Sequence, residues 1–159
     1  MDRKQAFLKT PIGTVRIIGT SAGIQEVSFV ESNDSVQAEV PSCLVECHQQ
    51  LTEYFQGKRK DFRLTLDFQG TDFQKRVWTE LQLLTFGKTR SYLEQARILG
   101  DVKAIRAVAS ANGRNPIAVI VPCHRIIGSN GSLTGYAAGL WRKKWLLEHE
   151  NPPAQTSLF

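Results

Sequence analysis

The sequence predicts an α+β protein in which a small N-terminal unit of sheet and helix precedes a helical unit of the winged helix-turn-helix kind. Apolar and polar residues alternate at the period of a strand in parts of the first half. In the second half apolar residues recur at helical spacing, and two short helical segments flank a glycine turn. We place the boundary at Gly70, so that the units span residues 1–69 and 70–151 and leave residues 152–159 as a flexible tail.

The N-terminal unit is predicted to hold two strands, a helix and a further strand. The stretches GTVRII and IQEVSFV flank the turn GTSAG and predict the first two strands. A helix begins at Pro41 and ends at Gly57. Its apolar face is formed by Leu44, Cys47, Leu51 and Phe55. The stretch DFRLTLDFQG then alternates apolar and polar residues and predicts a half-buried strand.

The second unit opens with three predicted helices. Thr71 and Gln74 have the spacing of a capping box at the start of TDFQKRVWTELQLL. One face of that helix carries Phe73, Val77, Leu81 and Leu84. Ser91 can cap a short helix that stops at Gly100, and Asp101 can cap the next, VKAIRAVASAN. This pair predicts the helix-turn-helix.

A buried run, a wing and a last helix complete the predicted second unit. The run NPIAVIVP is bracketed by prolines, and HRIIGSNGSLTGY predicts a hairpin or wing about Asn130 and Gly131. The final helix is LWRKKWLLEHE, stopped by Pro152 and Pro153. We expect its Trp141 and Trp145 to pack in the core.

The second helix of the pair has a large-residue face and a small-residue face. We expect Val102, Ile105 and Val108 to point to the core. The small residues expected to face outward, with Arg106 beside them, are Ala104, Ala107, Ser110 and Ala111. A small face lets a helix approach another surface closely, which favours contact with DNA. The alternative is an alanine-rich helix selected for helix propensity alone.

Charge and composition narrow the function classes. Residues 1–70 carry 8 Lys/Arg and 9 Asp/Glu, whereas residues 71–159 carry 12 and 6, so the excess positive charge indicates a nucleic-acid partner. The sequence has no apolar run of the roughly 18 residues a membrane span needs. Its N-terminus lacks a signal-peptide core. Three cysteines argue against a disulfide scaffold, so we expect a reducing, cytoplasmic setting.

The stretch VPCHRIIG places Cys123 beside His124 and Arg125. A thiol becomes a strong nucleophile when an imidazole or a cation lowers its pKa, and Arg125, Lys143 and Lys144 can supply positive potential. A histidine base usually needs an orienting carboxylate, for which Glu148 and Glu150 are candidates. Spacing alone leaves a buried structural cysteine as the alternative.

The stretch NGRNPIAVIVPCHRIIGSNGSLTGYAAGLWRKKWLLEHE strongly resembles the active-site region of the O6-alkylguanine-DNA alkyltransferases. Further matching segments are TDFQKRVW, GKTRSY and AIRAVASANGRNP, and TPIGTVRIIGTSAGIQEVSFV fits more loosely. The resemblance implies a ribonuclease H-like N-terminal unit. It also implies irreversible, single-turnover transfer of the alkyl group from O6-alkylguanine in double-stranded DNA, without a cofactor, and leaves O4-alkylthymine open as a second substrate.

The resemblance assigns the chemical roles residue by residue. Cys123 would accept the alkyl group, His124 would relay a proton through water, and Glu150 would hold the imidazole. Asn115 would hydrogen-bond the turn that carries the cysteine. The residues implied to contact, polarise or read the damaged base are Tyr136, Lys143, Ile126 and Ala137, the last two through their backbones.

The resemblance also implies how DNA is bound. Arg106 would fill the gap left by an extruded base, and Tyr92 would push the neighbouring phosphate during rotation. The recognition helix would enter the minor groove, where small side chains fit a narrow space. Its expected DNA contacts are Ala107, Ser110, Ala111 and Arg114. Ala109 stands where many relatives have glycine.

The sequence also bears on metal binding, clamp binding and oligomeric state. Cys43, Cys47 and His48 have a metal-like spacing but lack an evident fourth ligand, so we predict no metal site. The tail residues Gln155, Leu158 and Phe159 match a Gln-x-x-Leu-Phe pentapeptide, which predicts binding to a bacterial replication sliding clamp. We expect a monomer. The alternative function is a winged-helix DNA-binding damage sensor or regulator without transfer activity; Cys123 argues against the non-transferring relatives, which carry tryptophan there.

Overall fold

The computed structural model describes residues 2–31 and 39–152. The N-terminal unit holds an antiparallel sheet of strands β1 (Lys4–Thr10), β2 (Gly13–Thr20) and β3 (Gly23–Val30), in that order. The register pairs Ala6 with Ile17 and Val15 with Phe29. Strand β1 is not among the predicted strands, because its three consecutive buried residues, Ala6, Phe7 and Leu8, do not alternate with polar ones.

Helix α1 (Val45–Phe55) follows a 3-10 turn at Ser42–Leu44 and packs on the sheet. The four residues of its predicted apolar face are all buried. Gly57 follows the helix at a φ of 78°, a left-handed conformation that glycine adopts without strain. The predicted helix and its end are therefore present.

The predicted strand over residues 61–68 is not a regular strand. Only Leu66 forms a bridge, parallel to Ile24, through bonds from the Ile24 amide to the Thr65 carbonyl (2.9 Å) and from the Asp67 amide to the Ile24 carbonyl (2.8 Å). Burial still alternates over residues 61–66. The prediction of a strand was wrong, because an extended segment that packs one face on the core shows alternating burial even where it does not form the hydrogen bonds of a sheet.

The second unit begins with α2 (Asp72–Leu81), α3 (Tyr92–Ile98) and α4 (Ile105–Gly113). Complete capping boxes start α2 and α3, and Asp101 caps a 3-10 turn at Val102–Ala104 that precedes α4. The buried amides of Gln95 and Asn112 exchange two hydrogen bonds of 2.8 and 2.7 Å between α3 and α4. This reciprocal pair fixes the angle of the helix-turn-helix.

Two residues of the pair's second helix face the opposite way to the prediction. Val102 is 46% exposed, whereas Ala111 is only 3% exposed, and the Ala111 carbonyl accepts a 2.8 Å hydrogen bond from the Trp78 indole. The predicted face assumed a continuous α-helix. Since the first turn is 3-10, with about three residues per turn, Val102 rotates out of the apolar stripe.

The region after the buried run was predicted to be a hairpin or a wing, and the structure has the wing. A turn does form at Gly128–Gly131, where the Gly131 amide donates to the Gly128 carbonyl. However, β5 (Ile126–Ile127) pairs in parallel with β4 (Arg90–Ser91) and not with the chain beyond the turn. The loop is therefore a wing without a hairpin ladder.

Helix α5 (Leu140–Glu150) is present as predicted. Trp145 is half-buried and stacks on His149, with ring centroids 4.7 Å apart. Trp141 is 57% exposed, so its predicted place in the core was wrong. Among residues 2–31 and 39–152, none of the helices has the length and apolarity to traverse a lipid bilayer.

The two units share one core and are joined by backbone hydrogen bonds. The Val27 amide of β3 donates to the Pro116 carbonyl, and the Ala118 amide donates to the Val27 carbonyl, both at 2.9 Å. These bonds attach the sheet to the segment that leads into Cys123. The N-terminal unit thus fixes one end of the cysteine's own chain segment.

Candidate active site

Two tight turns set the position of Cys123. Val119 is fully buried at a φ of 71°, and the Ile120 amide donates to the Ala118 carbonyl across it (2.8 Å). This is a γ-turn, a strained conformation for a β-branched residue. Pro122, at φ −83° and ψ 60°, forms an inverse γ-turn closed by a 2.8 Å bond from the Cys123 amide to the Val121 carbonyl. The two turns therefore fix the conformation of the backbone that carries Cys123.

Asn115 ties this turn to the thiol. Its side-chain amide donates to the Val121 carbonyl at 2.8 Å and to Cys123 Sγ at 3.2 Å, while its oxygen accepts from the Ile117 amide at 2.9 Å. Burial raises the pKa of the Cys123 thiol, and the Asn115 bond and the Lys143 charge oppose that rise without cancelling it. In the resting protein the group at this position is therefore the thiol, which needs a base to react.

Glu150 is the centre of a buried hydrogen-bond network. Its Oε2 lies 2.7 Å from His124 Nε2 and accepts from the Tyr54 hydroxyl at 2.6 Å. Arg125 donates to both carboxylate oxygens, at 2.7 and 2.9 Å, and the Gly87 amide adds a bond of 3.3 Å to Oε1. Burial alone would raise the pKa of Glu150, but the bonds and charges of His124 and Arg125 hold it well below its usual range. Glu150 is thus a permanent anion.

That anion fixes the protonation of His124. Since the ionised carboxylate can only accept, the bond at Nε2 is donated by the imidazole, which leaves Nδ1 with a free lone pair. Nδ1 is buried and has no hydrogen-bond partner among the described residues. Burial lowers the pKa of His124, against the opposing effect of Glu150, so the imidazole is neutral at pH 7. A neutral, oriented imidazole can accept a proton through Nδ1.

Lys143 is buried on α5 and holds the loop that follows the wing. Its ammonium donates to the carbonyls of Thr134 (2.8 Å) and Gly135 (3.2 Å) and to the Tyr92 hydroxyl (3.4 Å). The Tyr92 hydroxyl in turn donates to the Thr134 carbonyl at 2.8 Å. Burial lowers the pKa of Lys143 to about 8. Its charge acts on Cys123 across the loop and not by direct contact.

A cavity of about 1160 Å³ brings most of the predicted site residues together. Its lining includes Cys123, Asn115, Tyr92, Tyr136, Ala137 and Arg106. The Tyr136 hydroxyl is buried and has no partner within the described chain, so it is free to bond a ligand. His124, Glu150 and Lys143 lie behind the lining. Ile126 is fully buried in β5, so its side chain cannot contact a DNA base and only its backbone could do so.

Sequence reasoning missed residues of the N-terminal sheet that complete the cavity wall. Arg16, Glu26, Ser28 and Phe29 line it on the side of β2 and β3. Arg16 donates to Glu26 at 2.8 Å, and the Ser28 hydroxyl donates to the same carboxylate at 2.9 Å. Strand alternation was the only available signal. It places Glu26 and Ser28 on one face of β3 and Phe29 on the other, and it puts none of them beside Cys123.

The predicted DNA-contacting residues lie largely on one exposed side of α4. Arg106, Ala107, Ser110 and Arg114 are exposed, and Tyr92 is half-buried at the cavity. Ala111 was predicted to share this side, but it is in the core. The Trp78 indole binds the Ala111 carbonyl and holds this residue against the core, so the prediction that Ala111 contacts DNA was wrong.

Two other features of the sequence concern metal binding and clamp binding. Cys43 and Cys47 are free cysteines on the sheet-packed helix segment, and within residues 2–31 and 39–152 no group of three or more His, Cys, Asp and Glu side chains could hold a metal ion. The proposed clamp-binding residues Gln155, Leu158 and Phe159 lie outside the described residues.

Comparison with known proteins places this site in a family. Residues 72–152 match the family described as 6-O-methylguanine DNA methyltransferase, DNA binding domain, and residues 4–68 match its ribonuclease-like domain. A methylated-DNA–protein-cysteine methyltransferase of Methanosarcina acetivorans is 45% identical over 152 residues, covering 91% of this chain and 96% of the relative. This chain belongs to the O6-methylguanine-DNA methyltransferase family.

Solved structures of the family agree. The O6-methylguanine methyltransferase of Mycobacterium tuberculosis has a TM-score of 0.83 at 40% identity, covering 99% of this chain and 98% of that one. A structure of the same organism's enzyme in complex with DNA has a TM-score of 0.82 at 42% identity, with 92% and 91% covered. The resemblance, the α+β fold class and the activity of a DNA-repairing cysteine methyltransferase, each predicted from the sequence, are confirmed. The alternative of a sensor without transfer activity is not favoured.

Proposed function

We propose that Cys123 is the residue that accepts the alkyl group from O6-alkylguanine in double-stranded DNA, once per molecule. The observation that carries the proposal is the shared cavity: Cys123, Arg106 of the exposed α4 side and the unpartnered Tyr136 hydroxyl all line it. Because guanine O6 is enclosed in the base stack, an attack on its alkyl carbon requires the base to leave the duplex. A cavity of about 1160 Å³ beside an exposed basic helix is large enough to receive that base.

The reaction balances with the residues in the cavity wall. The Cys123 sulfur forms a bond to the alkyl carbon while the carbon–O6 bond breaks and leaves its electron pair on O6. The thiol proton passes to His124 Nδ1 through water. Tyr136 donates its hydroxyl proton to the departing guanine, which regains its ordinary neutral form, and the proton held by the imidazolium returns through water to the tyrosinate, so that one proton moves in all from the thiol to guanine. Glu150 and Arg125 stabilise the transient imidazolium by keeping the carboxylate ionised and fixed.

Tyr136 and Lys143 assist the departing base in different ways. The Tyr136 hydroxyl, which has no partner among the described residues, is a donor inside the cavity, and Ala137 in the same lining would offer backbone groups to the base edge. Ile126 lies outside the lining and its amide donates to the Cys123 carbonyl, so its implied contact would fall to its carbonyl. Lys143 acts through the loop carbonyls that it binds, which keeps positive charge near the forming guanine anion. The product is an S-alkyl thioether, which has no exchange route back to a thiolate. Each molecule therefore reacts once and needs no cofactor.

We assign DNA binding to the exposed side of α4 in the minor groove. Ala107 and Ser110 are small enough for close approach, Arg114 adds positive charge, and Arg106 fills the space left by the base. Tyr92 lies at the cavity edge, where the phosphate next to the extruded nucleotide passes. The relative from Mycobacterium tuberculosis was solved with DNA, which supports a DNA partner for this chain.

Intact-mass measurement after mixing with a duplex that contains O6-methylguanine tests the proposal. We expect a gain of one methyl group per molecule, located on the peptide that carries Cys123, and no gain in Cys123→Ala. The variant should still bind the duplex, because α4 is unchanged. Strong duplex binding by the wild-type protein without any gain in mass would overturn the assignment in favour of a DNA-binding sensor.

We also retain three proposals that concern the protein's setting. Three free cysteines support a reducing, cytoplasmic compartment, and we expect the protein to act as a monomer.

The third proposal is that the tail residues Gln155, Leu158 and Phe159 would anchor the protein to the replication sliding clamp. Titration of the wild-type protein and of a version lacking Leu158 and Phe159 against the clamp tests the last proposal; equal or absent binding by both would end it.

A further inference from the structure

The 134–138 loop forms a continuous part of the cavity wall opposite the sheet. All five of its residues line the cavity that Cys123 lines, and Tyr136 is among them. Lys143 holds the loop's first two carbonyls. The position of the Tyr136 hydroxyl relative to Cys123 therefore depends on what holds the other end of the loop.

Arg142, the neighbour of Lys143 on α5, holds that other end. Its guanidinium donates to the Ala138 carbonyl at 2.8 Å and to the Ile12 carbonyl at 2.7 Å. Ile12 lies in the turn between β1 and β2, in the N-terminal unit. One side chain thus joins the last residue of the cavity loop to the sheet, which forms the facing wall.

Aromatic rings keep the guanidinium in this orientation. Its central carbon lies 4.9 Å from the ring centroid of Phe29, which lines the cavity, and 4.4 Å from that of Trp141. A planar guanidinium can stack on a ring while its edge donates hydrogen bonds, which an ammonium group does not do. The stack also accounts for Trp141, whose exposed indole has no place in the core.

Gly13, at the end of the turn between β1 and β2, lies directly against the Arg142 guanidinium. A Cβ on Gly13 would lie 2.9 Å from the Arg142 guanidinium nitrogen, and the φ of 118° there is one that side chains rarely adopt. A side chain at residue 13 would therefore push the end of the arginine aside and strain the turn. The link between the loop and the turn itself is made by Arg142.

We propose that Arg142 is a positioning residue for alkyl transfer: it fixes the 134–138 loop, and with it Tyr136, against the N-terminal sheet. The inference deepens the proposed function and rests on it. Arg142 does not line the cavity and acts through Ala138 and Phe29. Its removal leaves the exposed side of α4 intact, so it changes the transfer step and not the affinity for DNA.

The test compares Arg142→Met with Arg142→Lys and with the control Lys144→Met. Lys144 is on the same helix, carries the same charge and is exposed, and its ammonium lies 3.9 Å from Glu148. Unlike Lys143, Lys144 is not among the charges that act on the Cys123 thiol. Single-turnover rates at saturating O6-methylguanine duplex, duplex affinity and the rate at which iodoacetamide labels the Cys123 peptide are measured for each. Melting temperatures identify any variant that fails to fold.

For Arg142→Met we expect the limiting transfer rate to fall by about tenfold to a hundredfold, the size of effect that a misplaced catalytic group produces. We expect duplex affinity to stay unchanged and iodoacetamide labelling to become faster, because the loop no longer covers the thiol. Arg142→Lys, which keeps the charge, should recover only part of the rate. Lys144→Met should behave as the wild type.

Unchanged transfer and labelling rates in both Arg142 variants, or equal losses in Lys144→Met, would overturn the inference. Should Arg142→Met not fold, the comparison of Arg142→Lys with the wild type decides by the same two rates. A wild-type protein that gains no methyl group would refute the proposed function instead. Iodoacetamide labelling would still report whether Arg142 holds the loop, so the two failures are distinguishable.

Discussion

His124 Nε2 lies 2.7 Å from Glu150 Oε2, and the same oxygen accepts the Tyr54 hydroxyl at 2.6 Å. The carboxylate is therefore shared between the residue next to Cys123 and a helix of the N-terminal unit. Because Arg125 also binds both of its oxygens, Glu150 is saturated with donors. The stability of the fold and the tautomer of His124 therefore both depend on the side chain of Glu150.

Replacing Glu150 by Gln should strongly destabilise the protein. The change removes the buried counter-charge of Arg125, and breaking a buried ion pair on one side costs about 3 kcal/mol or more. Urea unfolding measures the loss. Glu148→Gln is the matched control: among the residues that the structure describes, this exposed carboxylate pairs only with Lys144, at 3.9 Å, so the free energy of unfolding should hardly change. Equal losses in the two variants would contradict the role of the network.

Stability should fall in two steps as the pH is lowered. The pKa of buried His124 is below its ordinary 6.5, so its contribution is present above that pH and is lost below it, as the unfolded chain takes up a proton first. The pKa of Glu150 is below its ordinary 4.5, so its contribution is lost only below that value. Urea unfolding from pH 8 to pH 3 measures both steps. The Glu150→Gln variant should lack the step at lower pH. If its loss of stability in acid were the same as that of the wild type, the step could not be assigned to Glu150.

Asn115→Asp should slow alkyl transfer and raise the pKa of the Cys123 thiol. An aspartate keeps the acceptor for the Ile117 amide but cannot donate to Val121 or to Cys123 Sγ, and it adds negative charge beside the sulfur. A lost hydrogen bond to a buried group costs about 1–3 kcal/mol, or roughly tenfold to a hundredfold in rate. The pH dependence of iodoacetamide labelling reports the pKa. Asn130→Asp, in the exposed turn where only the side-chain oxygen is used, should show neither effect.

Arg106→Ala should separate base extrusion from thiol chemistry. Extrusion costs a few kcal/mol, and an arginine in the vacated stack offsets part of it. We therefore expect about tenfold slower transfer from a duplex and nearly unchanged transfer from free O6-alkylguanine base. Arg63→Ala removes an equally exposed charge from the N-terminal unit and should leave both rates unchanged. A parallel loss with both substrates in Arg106→Ala would refute the assignment.

The helices were predictable because their signals are local. The capping boxes at Thr71 and Ser91 and the glycine after α1 depend on residues within one turn of the helix end. The exposed position of Val102 was not predictable, since a 3-10 turn at Val102–Ala104 has the same residue types as an α-helical one. Strand β1 and the pairing of β5 with β4 depend on partners distant in sequence, for which no local pattern exists.

The site shows the same limit. Resemblance to the family indicated Cys123, His124, Glu150 and Asn115, and each makes contacts suited to its assigned role. It indicated neither the bond of Tyr54 to Glu150 nor that of Arg142 to the Ile12 carbonyl, because these contacts cross between the two units. Nor did it reveal Val119, whose positive φ is imposed by the fold on a residue type that rarely accepts it.

Tyr54 also limits how this protein can be recombined with its relatives. The two family domains, matched by residues 4–68 and 72–152, look like natural parts for chimeras. Yet the Tyr54 hydroxyl on one part completes the bonding of Glu150 on the other, and His149 lies 2.6 Å from the Tyr54 carbonyl. A grafted N-terminal half without a hydroxyl at that point would leave a buried acceptor short of a donor. Halves can therefore be exchanged only with relatives whose N-terminal half supplies a hydroxyl group at this position.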